Sequence, residues 1–226
     1  MRYPYMLYDE KVAVQPLVSG LHGAPYILDL SPAGDILADL QARDQQGLQR
    51  VLEQKMRGRY SWGLSPYLEE RSTLLSDCPQ MVEEGRFFHL GLDIILPLRT
   101  KLHAPLDARV EVSGVEEGEG NYGGFVLLRH ESPLFETFFS LYGHLHHASL
   151  PQKGESVSAG EAFAEIGDFH ENGNWFYHTH LQVITQKGYD AGYLSKGYCA
   201  ASDLATIHHV VPSPLMLFIL KSRQDG

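Results

Sequence analysis

The chain has 226 residues, which is enough for one sizeable hydrophobic core with an extension but too short to suggest three domains. Its formal net charge of −10 and its pI near 5.6 argue against a general nucleic-acid binder, because such proteins carry an excess of basic surface. Its two cysteines, Cys78 and Cys199, are too few for a disulfide framework and lie in no Cys-x-x-Cys zinc pattern, so we expect two buried free thiols.

The N-terminus carries no recognisable export signal. The first ten residues lack a continuous apolar stretch, and Asp9 and Glu10 fall where a signal peptide would need one. We therefore expect a cytoplasmic protein as written, or a periplasmic or extracellular one if a leader was removed. The longest apolar run, residues 215–220, is far below the roughly 20 residues that span a bilayer, and it predicts a terminal core strand.

The N-terminal third predicts an extension with little regular structure. Residues 1–35 are rich in Pro, Gly and Tyr, and the short apolar pieces among them suggest short strands or an irregular cover. One amphipathic helix is predicted near 44–57, because Asp44 is a suitable N-cap and apolar residues follow at helical spacing. The segment 62–71 mixes turn residues, aromatic residues and charges, and it could either line a cleft or pack on the surface.

From residue 87 onward the pattern changes to short apolar runs separated by Gly, Pro and Asn turns. These runs predict a mainly β protein with an antiparallel β-sheet core. The predicted strands are 92–96, 109–115, 124–129, 138–145, 162–166 and 181–185.

Two separated stretches carry the ligand types that zinc binds, which are imidazole nitrogen and carboxylate oxygen. The first is His89-Leu90-Gly91-Leu92-Asp93, and the second is His178-Thr179-His180. If the second stretch is a strand, His178 and His180 point to the same face, because side chains two apart share a face. One of them is then a candidate metal ligand and the other a candidate catalytic base.

The order of motifs resembles a known family. The His89 to Asp93 stretch is followed by Ala104-Pro105-Leu106-Asp107-Ala108-Arg109-Val110, then by Leu141-Tyr142-Gly143-His144-Leu145, then by a turn-strand-turn over 153–167, and finally by the His178 to Val183 stretch. In this order, over about residues 85–185, they are similar to the lysostaphin/LytM-type zinc endopeptidases of peptidase family M-23. A narrower similarity is to the LytM-like domain fused between kinase-like and aminotransferase modules.

That resemblance implies the fold and the roles of five residues. It implies a LytM-type (duplicated-hybrid-motif) zinc peptidase domain over 81–221, preceded by an extension over 1–80 that could cover the groove. It implies one Zn²⁺ per chain held by His89, Asp93 and His180, with a water molecule in the open fourth position of a catalytic site. His144 and His178 would be the catalytic pair.

The chemistry of the residues agrees with these roles. The chain has no His-Glu-x-x-His helix, so no glutamate base is available and an imidazole must accept the proton of water. The sequence does not decide which of the two histidines does so. Tyr142 and Tyr177 are candidate donors to an oxyanion, with core packing the expected role of Tyr142. Tyr177 and Gln182 replace residues that are commonly Pro and Glu in the family, which changes the surroundings of the ligands rather than the ligands themselves.

Three functions are consistent with the sequence. The first is a zinc-dependent endopeptidase that uses a metal-activated water to hydrolyse peptide bonds of peptidoglycan or related peptides. The second is a cytosolic zinc hydrolase of a small amide or peptide metabolite, and the third is a non-catalytic LytM-type regulatory module. The expected partner is a peptide or peptidoglycan-derived substrate, with no nucleic acid and no membrane span; the oligomeric state is not predicted.

Overall fold

The structure, a computed structural model, describes residues 1–37 and 44–219. Its regular elements are mostly strands, as the sequence pattern predicted. Their bounds are β1 Tyr26–Ile27, β2 Gly63–Ser65, β3 Arg86–His89, β4 Leu92–Ile95, β5 Lys101–His103, β6 Ala108–Glu116, β7 Gly123–Ser132, β8 Phe135–Leu145, β9 Ser156–Val157, β10 Ala162–Glu165, β11 His178–Thr185 and β12 Tyr198–Ala200.

Eight of these strands form one sheet in the order β1-β2-β4-β11-β8-β7-β6-β9, and the pairs β10-β5 and β12-β3 form two smaller sheets. All pairings are antiparallel except that of β1 with β2. All six strands predicted from the sequence are present, with shifted ends. The prediction of a mainly β fold with an antiparallel core is confirmed.

The helices are short, and one of them corrects a sequence prediction. Asp44 caps the predicted helix, because its side chain accepts a hydrogen bond from the backbone N–H of Gly47 at 2.7 Å. The terminal strand predicted over 215–220 is wrong. Residues Leu215–Ile219 are a helix that begins after Pro214, and Leu220 lies outside the described residues. The helices are α1 Gln45–Met56, α2 Pro79–Glu84, α3 Gln186–Asp190 and α4 Leu215–Ile219.

The main core lies on one face of the large sheet, and strand alternation sends polar side chains to the other face. Leu92 and Ile94 of β4 belong to this core, whereas Asp93 between them points away from it. Leu17 and Trp62 of the N-terminal region pack into the same core, and β2 pairs with β4. The boundary near residue 80 stays a prediction, although the N-terminal region contributes directly to the sheet.

Neither cysteine forms a disulfide bond, but only Cys199 is buried, and Cys78 is half-buried. The prediction of two buried thiols is therefore right for Cys199 and wrong for Cys78, which lies just before α2 rather than in a core cluster. Among the described residues, none of the helices combines the length and apolarity of a bilayer span.

A buried histidine makes stability depend on pH. His130 lies on β7, where its Nε2 is 2.7 Å from Ser140 Oγ and its Nδ1 is 3.1 Å from the carbonyl oxygen of Asp107. Burial lowers its pKa to about 4. The unfolded chain binds a proton at this histidine more readily than the folded protein does. Lowering the pH from 6.5 towards 4 should therefore decrease the free energy of unfolding by about 3 kcal/mol through His130 alone.

The glutamine of His130→Gln does not titrate. The unfolding free energy of this variant should therefore decrease less than that of the unchanged protein when the pH is lowered from 6.5 to 5. Urea denaturation at several pH values measures this slope. His170→Gln, at an exposed histidine, is the matched control. Equal slopes for His130→Gln and the unchanged protein would contradict the prediction.

Candidate metal centre

The sheet register brings two of the predicted ligands side by side. His180 of β11 pairs directly with Asp93 of β4, and Ser65 of β2 pairs with Asp93 from the other side. His89 ends β3, and the chain then turns through Leu90 and Gly91 into β4. The three side chains therefore meet on one face of the sheet, although His89 and His180 are 91 positions apart in the sequence.

The donor atoms of His89, Asp93 and His180 lie within hydrogen-bonding distances of one another. His89 Nε2 is 2.9 Å from His180 Nδ1, and each of these atoms is 3.3 Å from Asp93 Oδ1. Tetrahedral ligands with metal bonds of about 2.0–2.1 Å are themselves about 3.3–3.4 Å apart. Asp93 Oδ1 is buried and has no hydrogen-bond partner among the described residues, so a cation would satisfy it. The three residues therefore fit a metal ion.

Neighbouring groups fix which nitrogen of each ligand histidine faces the centre. His89 Nδ1 lies 3.3 Å from the carbonyl oxygen of Pro66, which can only accept, so Nε2 is left with its lone pair. His180 Nε2 lies 3.1 Å from Gln182 Oε1, and the Gln182 amide nitrogen donates to the carbonyls of Tyr193 and Lys196. Gln182 thus orients His180 and leaves its Nδ1 as a ligand atom.

The charge states also suit metal binding. Burial and the nearby Arg71 lower the pKa of His89 to about 3, so its imidazole is neutral at neutral pH. Burial disfavours ionisation of Asp93, but His89 and Arg71 outweigh it and hold the pKa of Asp93 well below its usual range. A neutral imidazole and an ionised carboxylate are the forms that coordinate metals.

The two predicted catalytic histidines lie beside this cluster with equivalent hydrogen bonding. His178 Nδ1 lies 2.8 Å from the carbonyl oxygen of Phe176, and His144 Nδ1 lies 2.8 Å from that of Asn172. Each Nδ1 is therefore the donor, and each Nε2 carries a lone pair. Their ring centroids are 4.4 Å apart, and His178 Nε2 is 3.5 Å from Asp93 Oδ1. Burial lowers the pKa of His178 to about 4 and that of His144 well below its usual range.

The position of His144 depends on an unusual backbone and on one loop. Its φ of 67° lies in the left-handed region, where a non-glycine residue is uncommon and costs energy. Asn172, whose carbonyl oxygen fixes the ring, is itself locked, since its side chain bonds to Gly167 and twice to Trp175. Backbone carbonyls have no sequence signature, so Asn172 and Phe176 were not predicted.

Residues 87–191 match the Peptidase family M23. We refer to these residues as the M23 domain after this match. No curated protein sequence matches the chain. The narrower similarity to aminotransferase-fused proteins stays a prediction.

Several solved structures are similar to part of this chain. A zinc containing peptidase from Vibrio cholerae is 24% identical with a TM-score of 0.37, over 44% of this chain and 28% of that one. The catalytic domain of the antimicrobial peptidase lysostaphin from Staphylococcus simulans is 20% identical with a TM-score of 0.36, over 52% and 79%. LytU is 20% identical with a TM-score of 0.39, over 60% and 88%. The chain therefore spans just over a quarter of the length of the Vibrio protein.

Residues from outside the M23 domain also line the cavity at the candidate metal centre. The five predicted residues all border one cavity of about 80 Å³, together with Arg71 and Met81 from before the matched range. Trp175 and Phe176, which lie just before β11, also line it. A mainly apolar second cavity of about 220 Å³ adjoins it, and the two share Met81 and Trp175.

A tyrosine that was not among the predicted candidates lines the central cavity. Tyr142 is fully buried in the main core against Phe163, which confirms its expected packing role, and Tyr177 packs against Phe169 away from the cavity lining. Tyr122 lines the cavity, and its ring centroid is 5.4 Å from that of His180. Its buried hydroxyl has no hydrogen-bond partner among the described residues. Burial raises its pKa, so it stays protonated and can donate.

One glycine of the M23 domain leaves room for a ligand ring. A Cβ built on Gly91 would lie 2.7 Å from His180 Nδ1, closer than real side-chain contacts. Gly91→Ala should therefore displace the His180 ring and lower zinc affinity by about 10- to 100-fold, the usual effect of disturbing a ligand's support. Competition against a chelator measures this affinity.

Gly114→Ala is the matched control, because the nearest side-chain atom to its Cβ would be 3.7 Å away, an ordinary contact. It should leave zinc affinity unchanged. Unchanged affinity in Gly91→Ala as well would mean that the His180 ring can move aside without leaving the ligand set.

Proposed function

We propose that the protein is a zinc-dependent endopeptidase that hydrolyses peptide bonds of peptidoglycan or related peptides. The observation that carries this proposal is the meeting of two imidazole nitrogens and one carboxylate oxygen within 3.3 Å of one another in a cavity bordered by two further histidines. Three protein ligands leave a position open, which is the arrangement of catalytic rather than structural zinc. The M23 domain supports the peptidase assignment.

Zinc, when bound, supplies a Lewis acid that polarises a carbonyl group and lowers the pKa of a water molecule. The protein supplies the proton acceptors. His178 and His144 each carry a lone pair on Nε2 and a proton on Nδ1 that a backbone carbonyl holds in place. One of them accepts the proton of the attacking water on Nε2 and then, as the protonated imidazole, passes the same proton to the leaving amine.

The Tyr122 hydroxyl is our candidate donor to the developing oxyanion. It is protonated, buried at the cavity and without a partner among the described residues, so no existing hydrogen bond must break before it donates. This assignment replaces Tyr142 and Tyr177, whose positions point to packing.

The function is tested on the purified full chain by elemental analysis and by release of amines from peptidoglycan, muropeptides and glycine-rich peptides. We expect about one zinc per chain, and hydrolysis that stops on chelation and returns with zinc. A protein with one zinc per chain that cleaves none of these substrates would contradict the proposal.

A further inference from the structure

A buried arginine from outside the M23 domain lies behind the proposed metal centre. Arg71 is only 2% exposed, and its Nη2 is 2.8 Å from Asp93 Oδ2. The other oxygen of the same carboxylate, Oδ1, faces the ligand histidines at 3.3 Å. The two oxygens of Asp93 are therefore divided between a fixed cation and the metal position.

The guanidinium group is held from several sides. Arg71 Nε donates to Glu69 Oε2 at 2.9 Å, and Nη2 donates to Ser65 Oγ at 2.9 Å. Ser65 Oγ donates in turn to Glu69 Oε2, and Glu69 Oε1 accepts from the backbone N–H of Leu30. The planar fork of donors on arginine fits such a fixed arrangement, whereas lysine could make only part of it.

The backbone around Arg71 is tied to the strand that carries His89. The N–H of Leu68 donates to the carbonyl of His89 at 2.7 Å, and the N–H of His89 donates back to Glu69 at 3.0 Å. The N–H of Arg71 donates to the carbonyl of Phe87 at 2.9 Å. Arg71 is therefore placed by the same hydrogen bonds that place a metal ligand.

The charges around Arg71 do not balance without a further cation. Arg71 contributes one positive charge, and Glu69 and Asp93 contribute two negative charges, all with side chains at most 5% exposed. Glu69 and Ser65 would be sufficient partners for a purely structural arginine. The remaining buried negative charge is costly unless a cation neutralises it, and its free oxygen faces the histidines.

We propose that Arg71 is a positioning residue of the metal centre. It holds Asp93 Oδ2 away from the metal, so that Asp93 offers Oδ1 alone, and it neutralises part of the carboxylate charge in the metal-free protein. This inference rests on the proposed zinc site but concerns a residue that lies before residue 87, where the M23 match begins.

The test compares Arg71→Met, Arg71→Lys and Ser65→Ala with the unchanged protein. With cobalt(II) in place of zinc, the visible absorption reports coordination number. We expect Arg71→Met to lose band intensity, because both Asp93 oxygens become available to the metal. Its gain in melting temperature on adding zinc should be larger by about 4 °C or more, because zinc becomes the main counter-charge of Asp93. Arg71→Lys should restore the thermal gain towards the original value but not the full spectrum.

Arg129→Met is the matched control, since it removes an arginine with two glutamate partners away from the centre and should change neither readout. A purely structural role would lower the melting temperature equally with and without zinc and leave the cobalt spectrum unchanged, which would overturn the proposal. If Arg71→Met does not fold, Ser65→Ala provides the test, because Ser65 holds the Arg71 side chain. We then expect smaller changes in the same direction in the cobalt spectrum and in the zinc-dependent gain in melting temperature. A failure of the unchanged protein to bind either metal would contradict the proposed function instead.

Discussion

Replacing His178 by alanine is expected to lower kcat/KM for peptide hydrolysis by about 100- to 10,000-fold while leaving about one zinc per chain. His178 lies 3.5 Å from Asp93 Oδ1 through Nε2, and its proton is held on Nδ1 by the carbonyl of Phe176. We therefore expect His178 to accept a proton beside the three proposed metal ligands rather than to be one of them. Initial rates with elemental analysis of the same samples measure both quantities.

The exposed His208 supplies the control, and His208→Ala should retain both activity and zinc. Loss of zinc together with activity in His178→Ala would mean that His178 is a ligand. Unchanged activity would remove it from the mechanism. An unchanged biological effect of His178→Ala in the native cell would favour the regulatory module over the enzyme.

The same loss is expected at His144, but the substitution must suit its backbone. With φ at 67°, alanine would add backbone strain to the loss of the imidazole. Asparagine is tolerated in the left-handed region, so His144→Asn separates the two effects. A melting temperature close to that of the unchanged protein, with hydrolysis lost, would assign the effect to the imidazole.

The sequence predicted the parts of the site that depend on local periodicity. His178 and His180 share a face because strands alternate with period two, and both line the same cavity in the structure. The convergence of Asp93 with His180 followed from motif order rather than from any local rule. It is realised by the pairing of β4 with β11.

Other parts of the site could not be predicted, for physical reasons. Arg71 reaches Asp93 because β2 joins the sheet beside β4, a long-range pairing that a three-residue strand does not reveal. The carbonyls of Asn172 and Phe176 orient the histidines regardless of their side chains. The apolar run at 215–220 has a length at which periodicity does not separate strand from helix.

Replacing Asp93 by asparagine is expected to abolish zinc binding without destabilising the metal-free protein. Asparagine keeps the shape of the side chain but loses its charge, and it leaves Arg71 paired with Glu69. The net formal charge of the buried cluster of residues 69, 71 and 93 therefore changes from about −1 to zero. The melting temperature without metal should therefore stay the same or rise. The gain on adding zinc, worth about 2.7 kcal/mol at 100 times the dissociation constant for the unchanged protein, should disappear.

His180→Ala separates charge from ligation. It removes a proposed ligand, so it should also lose the thermal gain from zinc. It keeps the carboxylate of Asp93 and should not raise the metal-free melting temperature. Asp190→Asn, at an exposed carboxylate on α3, is the control and should retain the full zinc-dependent gain. A strong loss of metal-free stability in Asp93→Asn would show that Asp93 serves Arg71 rather than a metal, because the only charge then missing is the partner of the arginine.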